Sequence, residues 1–334
     1  MKVLLYFEKE KALRQSGIGR ALRHQKQALE SNGVEYTLNP KDSFDIAHIN
    51  TNFFESYRLL KKCKKKGIKV IVHGHSTFED FRNSFRLWKV IEPIFDHLII
   101  RMYRKADAII TPTPYSKHLI ENYKGVKCPV YALSNGINLN DYEYSEEKVK
   151  KFREYFNLKE NDKVVIGVGL FFERKGILDF FEIARKMPDV KFIWFGHLDR
   201  ILTQIKILKA IKNRPSNVIM PGYIDGDIIK GAFSNANLVL FPTKEETEGI
   251  VVLEALASKT PVLVRDIPVF DPWLVDGKNC LKAKNNNEFI AQINYALNND
   301  LSNIVNEGYK TIKERSIDSV GKELVDIYKK VLGE

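Results

Sequence analysis

An alternation that runs once and then starts over does most to constrain how this chain folds. Short runs rich in Val, Ile and Leu recur between longer segments of helical periodicity. In the first half they predict strands over 2–7, 34–38, 45–49, 68–73, 107–111 and 129–132, with helices over 18–32, 55–66, 81–105 and 115–123. Such alternation implies parallel strands joined by crossover helices. The polar stretch 140–156 reads as a linker, and KVVIGVG (163–169) then opens the pattern afresh. Further strands are expected over 191–196, 217–220, 237–241 and 261–264, followed by helical pattern from 286 to 332. A length of 334 residues exceeds one ordinary domain and suits two. The expected fold class is therefore α/β, with two Rossmann-like, doubly wound parallel-sheet domains facing a central cleft, where the strands' C-terminal ends bind ligands. The domains are expected over 1–155 and 156–315, with a terminal helix over 316–334 packing back on the first.

Charge is distributed unevenly between these halves. Residues 1–155 carry 28 basic and 18 acidic residues, a net of +10, whereas residues 156–334 carry 25 and 24, a net of +1. The first half is thus expected to face something anionic. No recognisable nucleic-acid module is present, which disfavours a nucleic-acid partner. The segment YRLLKKCKKKGIK (57–69) concentrates Lys61, Lys62, Lys64, Lys65 and Lys66. The stretch 81–107 interleaves Trp88 and other apolar residues with Arg and Lys, and Pro93 interrupts it. This composition suits a helix lying in a membrane interface, and its alternative is a core-packed helix with a solvated basic face. No stretch reaches the roughly 18 apolar residues of a spanning helix, so membrane contact is expected to be peripheral. Cys63, Cys128 and Cys280 form no CxxC and no metal-ligand spacing, which fits a reduced, cytoplasmic setting.

Four segments carry candidate chemistry. In PTKEETEGIVVLEALASKTPV (242–262), Glu246 lies in a loop after a strand and Glu254 on the helix that follows. Gly249 opens that helix, whose first amides are available to an anion. A carboxylate on such a helix can hold a ribose diol, and one on the loop can hold sugar hydroxyls. In GVGLFFERKG (167–176), Arg174 and Lys175 stand between a strand and a helix, as suits a diphosphate. The alternative is a basic loop neutralising Glu173 or Asp179. In SGIGRAL (16–22), Gly17 and Gly19 open a helix, and Arg20 occupies the place of the third glycine of a dinucleotide fingerprint. That substitution disfavours a nicotinamide-dependent oxidoreductase. In VHGHST (72–77), His73 and His75 are expected on opposite faces of the extended segment, which argues against a shared metal. No metal motif appears, and Arg174, Lys175 and helix N-termini can replace a cation electrostatically.

The spacing of Glu246 and Glu254 resembles the EX7E signature of glycosyltransferase family 4, whose members have the GT-B fold and retain the donor's anomeric configuration. The resemblance implies that Glu254 binds the nucleotide's ribose and Glu246 the donor sugar. The amides of Gly249, Ile250 and Val251 would cap its hydroxyls and phosphate. The family has an aromatic where Glu248 stands. By the same resemblance Arg174 and Lys175 bind the diphosphate, and the Gly17/Gly19/Arg20 loop approaches donor phosphate and acceptor. His75 would lie beside the donor sugar. Ser116, Lys117 and Asn135, in TPTPYSKHL and SNGIN, would line the cleft, although turn and cap roles explain them equally well. A narrower set of segments, YFEKEKALRQSGIGRALRHQKQAL, HINT, HGHSTFEDFRNSF, ADAIITPTPYSK and ERKGILDFF, looks like bacterial diglycosyl-diacylglycerol synthases. This implies a UDP-glucose or UDP-galactose donor, a monoglucosyl-diacylglycerol acceptor and a monotopic place at the cytoplasmic face. A same-fold transferase with a soluble or capsule-linked acceptor is the enzymatic alternative, and a silent membrane-surface protein is another.

Overall fold

Apolar runs of four or five residues are long enough for strands covered on both faces, and both halves of the chain use them so. The computed structural model describes residues 1–13, 16–271 and 273–334. They form two units: Met1–Glu79, Lys89–Asn138 and Glu314–Glu334 in the first, Asp80–Trp88 and Leu139–Lys313 in the second.

The first unit contains β1 (Lys2–Tyr6), β2 (Glu35–Thr37), β3 (Ile46–Ile49), β4 (Lys69–His73), β5 (Ala108–Thr111) and β6 (Val130–Ala132), which match the expected runs. Among the described residues they make one parallel sheet in the order β2-β1-β3-β4-β5-β6. The residues of β3 are all buried, as befits a parallel strand between two helical layers. Side chains alternate between the layers with period two. Val3, Leu5, Ile46 and Ile71 pack with Leu22 and Leu29 of helix Gly17–Ser31 and with Val320, Leu324, Ile327 and Tyr328 of helix Ile317–Leu332. Leu4, Ala47, Ile49 and Val72 pack with the helices Phe54–Lys65 and Trp88–Tyr103.

The second unit contains β7 (Val164–Val168), β8 (Lys191–Phe195), β9 (Val218–Gly222), β10 (Leu238–Phe241), β11 (Val262–Arg265) and β12 (Leu281–Ala283). Its parallel sheet runs β12-β11-β10-β7-β8-β9. Five of these strands were expected. The sixth, β12, is three residues long and sits in an Asn- and Lys-rich stretch that hides it. Phe180 meets Phe192 and Trp194 edge-on, with ring centroids 5.3 and 5.0 Å apart, at the centre of the core.

Several expectations are corrected. The stretch 140–156 is not a free linker: helix Glu146–Tyr155 buries Phe152 completely and packs on helix Asp227–Asn235. The division between units accordingly falls at Asn138. The helix expected over 81–105 is two helices, Phe78–Phe81 and Trp88–Tyr103, because Asn83 and Leu87 adopt left-handed conformations with φ of 57° and 64°. Pro93 lies inside the second helix without ending it. The terminal helical pattern expected from 286 to 332 is present, as three helices, Asn286–Asn298, Ser302–Lys313 and Ile317–Leu332.

Gly176 joins the loop bearing Arg174 and Lys175 to helix Ile177–Arg185. Its φ is +74°, and a Cβ here would collide with the carbonyl of Pro242. We predict that Gly176→Ala destabilises the protein by about 1–3 kcal/mol through left-handed strain and this clash. Urea unfolding of the variant measures it, and a change within about 0.5 kcal/mol would show that the loop relaxes freely.

Candidate active site

In the second unit the functional side chains sit just beyond strand ends. The loop after β7 carries Arg174 and Lys175, and the loop after β10 carries Glu246. Lys175 Nζ forms an ion pair with Glu246 Oε1, and Arg174 Nη1 lies 4.0 Å from the same oxygen. All three side chains are largely buried. Burial pushes the Lys175 ammonium below its ordinary pKa, Glu246 opposes that shift, and Arg174 adds to it.

The alternative of a loop neutralising Glu173 or Asp179 is not what the geometry records. Glu173 pairs with Lys206, and Asp179 with Lys244 at 3.0 Å and Arg265 at 3.1 Å. Arg174 is held instead by groups that the sequence did not point to. Its Nε donates to Ser84 Oγ at 2.8 Å, its Nη1 donates to the Glu245 carbonyl at 3.0 Å, and its Nη2 lies 3.8 Å from Asp80. The segment Asp80–Trp88 is fixed by Phe85, whose ring meets Phe172 at 4.8 Å, and by the Arg86 N–H on the Leu202 carbonyl at 2.7 Å. Two cations, Arg174 and Lys175, thus stand against two inner carboxylates, Asp80 and Glu246, and both cations offer donors that an anionic ligand can use.

Glu254 is buried on helix Ile250–Ala257, and its Oε1 accepts from the Tyr142 hydroxyl at 2.7 Å. Tyr142 lies 112 residues away in sequence, so no local pattern announces it. Gly249 caps this helix in the left-handed region with φ of +89°, ahead of Ile250 and Val251, whose first-turn amides have no intrahelical acceptor. Glu248 is also buried.

In the first unit, Ser16 caps helix Gly17–Ser31 by accepting from the Gly19 N–H at 3.3 Å, which places Gly17, Gly19 and Arg20 in its first turn. His73 ends β4, and His75 follows two residues on. The expectation that they face apart is corrected: residues two apart on a strand share a face, and the two rings stack with centroids 3.9 Å apart. His75 Nε2 lies 2.8 Å from Asn50 Oδ1, and His73 Nδ1 lies 2.9 Å from Gln25 Nε2 and 3.1 Å from His48 Nε2. Tyr328 contacts His48 Nδ1 at 2.7 Å. Burial pushes the His48 and His75 imidazoles down to about 3 and that of His73 well below its ordinary value.

Other candidates are placed elsewhere. Ser116 is wholly buried in a capping box with Thr113, a structural role, and Lys117 pairs with Glu121 at 3.7 Å on the surface. Asn135 is buried after β6. Lys61, Lys62, Lys64, Lys65 and Lys66 are exposed at the end of helix Phe54–Lys65, although Lys64 is matched by Asp107 at 2.6 Å. Trp88 is half-buried, and the exposed apolar surface of its helix is supplied by Val90, Ile91 and Ile94. Among the described residues, no helix is long and apolar enough to cross a membrane, and no group of three or more His, Cys, Asp and Glu is arranged for a metal ion.

Residues 148–315 match the family model for glycosyl transferases group 1, and residues 22–141 match that for glycosyltransferase family 4. The chain is similar to the processive diacylglycerol alpha-glucosyltransferase of Acholeplasma laidlawii, at 55% identity over 332 residues and 99% of each chain. It is also similar to the alpha-galactosylglucosyldiacylglycerol synthase of Streptococcus pneumoniae, at 25% identity over 68% of this chain and 61% of the other. In fold it is similar to an Anabaena protein solved with UDP and glucose, with a TM-score of 0.80 at 15% identity over 99% and 100% of the two chains. The chain belongs to the group 1 glycosyltransferases, and its two doubly wound parallel-sheet units are those of the GT-B fold.

The buried imidazoles link stability to pH. An unfolded histidine takes its proton near 6.5, whereas His48 resists protonation down to about 3. Below about pH 6.5 the unfolded chain therefore binds more protons, and stability falls as pH drops towards 3; above that range the contribution is complete. Between pH 7 and pH 5 the loss from His48 is about 2 kcal/mol. We predict that His48→Gln loses about 2 kcal/mol less than the parent over this range in urea unfolding. Equal losses would mean that His48 is as easily protonated in the fold as outside it.

Proposed function

We propose that this glycosyltransferase moves a hexosyl group from a UDP-sugar to a sugar hydroxyl of monoglucosyl-diacylglycerol, with retention. The supporting observation in this molecule is the buried cluster of Arg174, Lys175 and Glu246 together with Glu254, which sets cations for a diphosphate beside carboxylates for sugar and ribose hydroxyls. Glu254 receives the ribose diol, and the amides of Gly249, Ile250 and Val251 receive sugar hydroxyls and phosphate. Glu246 orients the transferred sugar, and His75 stands beside it.

The chemistry asks for charge stabilisation more than for a nucleophile. As the bond between the anomeric carbon and the diphosphate oxygen breaks, its electron pair leaves with the diphosphate, and Arg174 and Lys175 stabilise the growing charge. The acceptor oxygen bonds to the anomeric carbon on the same face and passes its proton to a phosphate oxygen. Lys175, already held below its ordinary pKa by burial, gains more from a dianionic leaving group than from Glu246 alone.

Glucose is favoured as the sugar by the name of the 55%-identical relative, and galactose is kept in play by the galactosyl name of the 25%-identical one. Incubating the enzyme with monoglucosyl-diacylglycerol and either radiolabelled UDP-glucose or UDP-galactose decides the matter. Labelled diglycosyl lipid from one donor is the expected result. Transfer to soluble acceptors with none to lipid would overturn the acceptor.

Glu254→Ala is expected to weaken UDP binding roughly ten- to hundredfold, because a charged hydrogen bond contributes about 1.5–3 kcal/mol. Calorimetry giving unchanged UDP affinity in a folded variant would remove Glu254 from the ribose site.

A peripheral place on the cytoplasmic face of the membrane completes the proposal, with anionic lipid as the partner of the first unit. Each basic residue near such a surface contributes about 1 kcal/mol at low salt. Replacing Lys61, Lys62, Lys65 and Lys66 with Gln is expected to reduce sedimentation with anionic vesicles and activity on lipid, while UDP affinity stays intact. A variant that pellets like its parent at low salt would make these lysines an ordinary solvated helix end.

A further inference from the structure

Arg174 is held at two corners by oxygens that carry no charge, and both bonds have a fixed direction. A guanidinium has five N–H groups and no acceptor, so it donates in every hydrogen bond it makes. Its Nε donates to Ser84 Oγ at 2.8 Å, and its Nη1 donates to the Glu245 carbonyl at 3.0 Å. The Ser84 hydroxyl has a single proton, which it donates to the Asp80 carbonyl at 3.0 Å, an oxygen that can only accept. The serine therefore meets Arg174 as an acceptor. The carboxylates stand further off. Asp80 lies 3.8 Å from Nη2 and Glu246 lies 4.0 Å from Nη1, beyond hydrogen-bonding distance. They supply charge nearby but do not set the plane of the guanidinium. Among the described residues Nη2 makes no hydrogen bond, so its two N–H groups remain to be used.

Ser84 is itself placed by the main chain. It is fully buried, and its N–H is bonded to the Phe81 carbonyl at 3.3 Å. Its neighbour Asn83, in the left-handed region, turns its carbonyl to the Arg174 N–H at 3.4 Å. Two consecutive residues thus grip the main chain and the side chain of Arg174. Phe85 on Phe172 and the Arg86 N–H on the Leu202 carbonyl anchor the residues that follow.

We propose that Ser84 is a positioning residue for sugar transfer: it fixes the guanidinium of Arg174 so that the Nη2 edge meets the departing diphosphate. This rests on the reading of Arg174 as a diphosphate ligand. Donors that are already in place stabilise a growing charge without having to reorganise when the bond breaks. Without the serine oxygen, Arg174 keeps its charge but loses one of the two bonds that set its plane. A misplacement of about 1 Å at a reacting centre costs up to about 100-fold in rate.

Turnover of the full chain on monoglucosyl-diacylglycerol tests this, with radiolabelled UDP-glucose, or UDP-galactose should that be the donor. Ser84→Ala is expected to lower kcat about 10- to 100-fold while the KM for lipid stays within about twofold. In an Arg174→Ala background the same change is expected to cost no more than about twofold, because a residue that acts through Arg174 has nothing left to position. Ser84→Ala at parental kcat overturns the proposal. So does a loss of equal size in the two backgrounds, which would make Ser84 a support of the fold alone. The parent chain gives a second measurement that needs no change at Ser84. With its arginines labelled with 15N, the Arg174 Nε–H, identified by its loss in Arg174→Lys, is expected to exchange with water about tenfold more slowly than those of exposed arginines. Exchange at their rate overturns the proposal even if Ser84→Ala does not fold. Arg174→Ala with undiminished kcat would overturn the diphosphate reading and the proposal with it, whereas parental turnover in Ser84→Ala alone leaves that reading standing, so the two failures are separable.

Discussion

A parallel sheet covered by helices on both faces admits polar chemistry at its strand ends and punishes it elsewhere, and both units obey that constraint. Strands β3, β4 and β5 are almost wholly buried, so the polar groups entering at their carboxyl ends must satisfy one another. His48, His73, His75, Asn50 and Gln25 do so in part, through one continuous set of hydrogen bonds that still leaves Gln25 Oε1, Asn50 Nδ2 and His73 Nε2 buried without a partner. In the second unit the same requirement falls on ions. Leaving Glu246 buried without Lys175 would cost about 3–5 kcal/mol, so the cations expected to grip a ligand also hold together the loop that presents the carboxylate. The ligand-binding and structural roles of these residues are therefore inseparable in any simple deletion.

Much of the framework was legible because it depends on local composition. Val- and Ile-rich runs announced eleven of the twelve strands, and the failure at β12 is one of length: three residues are too few for a period to show. The break at 82–87 was invisible for a different reason. Asn83 and Leu87 take left-handed conformations usually marked by glycine, and tertiary contacts such as Phe85 on Phe172 stabilise them instead. Glu246, Glu254, Arg174 and Lys175 were readable from their spacing and from resemblance. Ser84 and Tyr142, which engage Arg174 and Glu254, were not, because 90 and 112 residues separate the partners. The histidine pair failed on geometry: two residues along a strand is a full period, which returns a side chain to the same face.

Helix Ile317–Leu332 joins the first unit although the whole of the second unit precedes it in the chain. Its Val320, Leu324, Ile327 and Tyr328 close one face of the first sheet, and Tyr328 ends the hydrogen-bond chain that begins at Gln25 and passes through His73 and His48. On a ribosome adding about 5–20 residues per second, that face waits on the order of tens of seconds for its cover. Until then only helix Gly17–Ser31 covers that face, and the rest of its Val, Ile and Leu surface is the kind that chaperones hold. The second unit, whose residues from Leu139 to Lys313 follow one another without interruption, has no comparable wait, so the half of the enzyme translated later can be the first to mature.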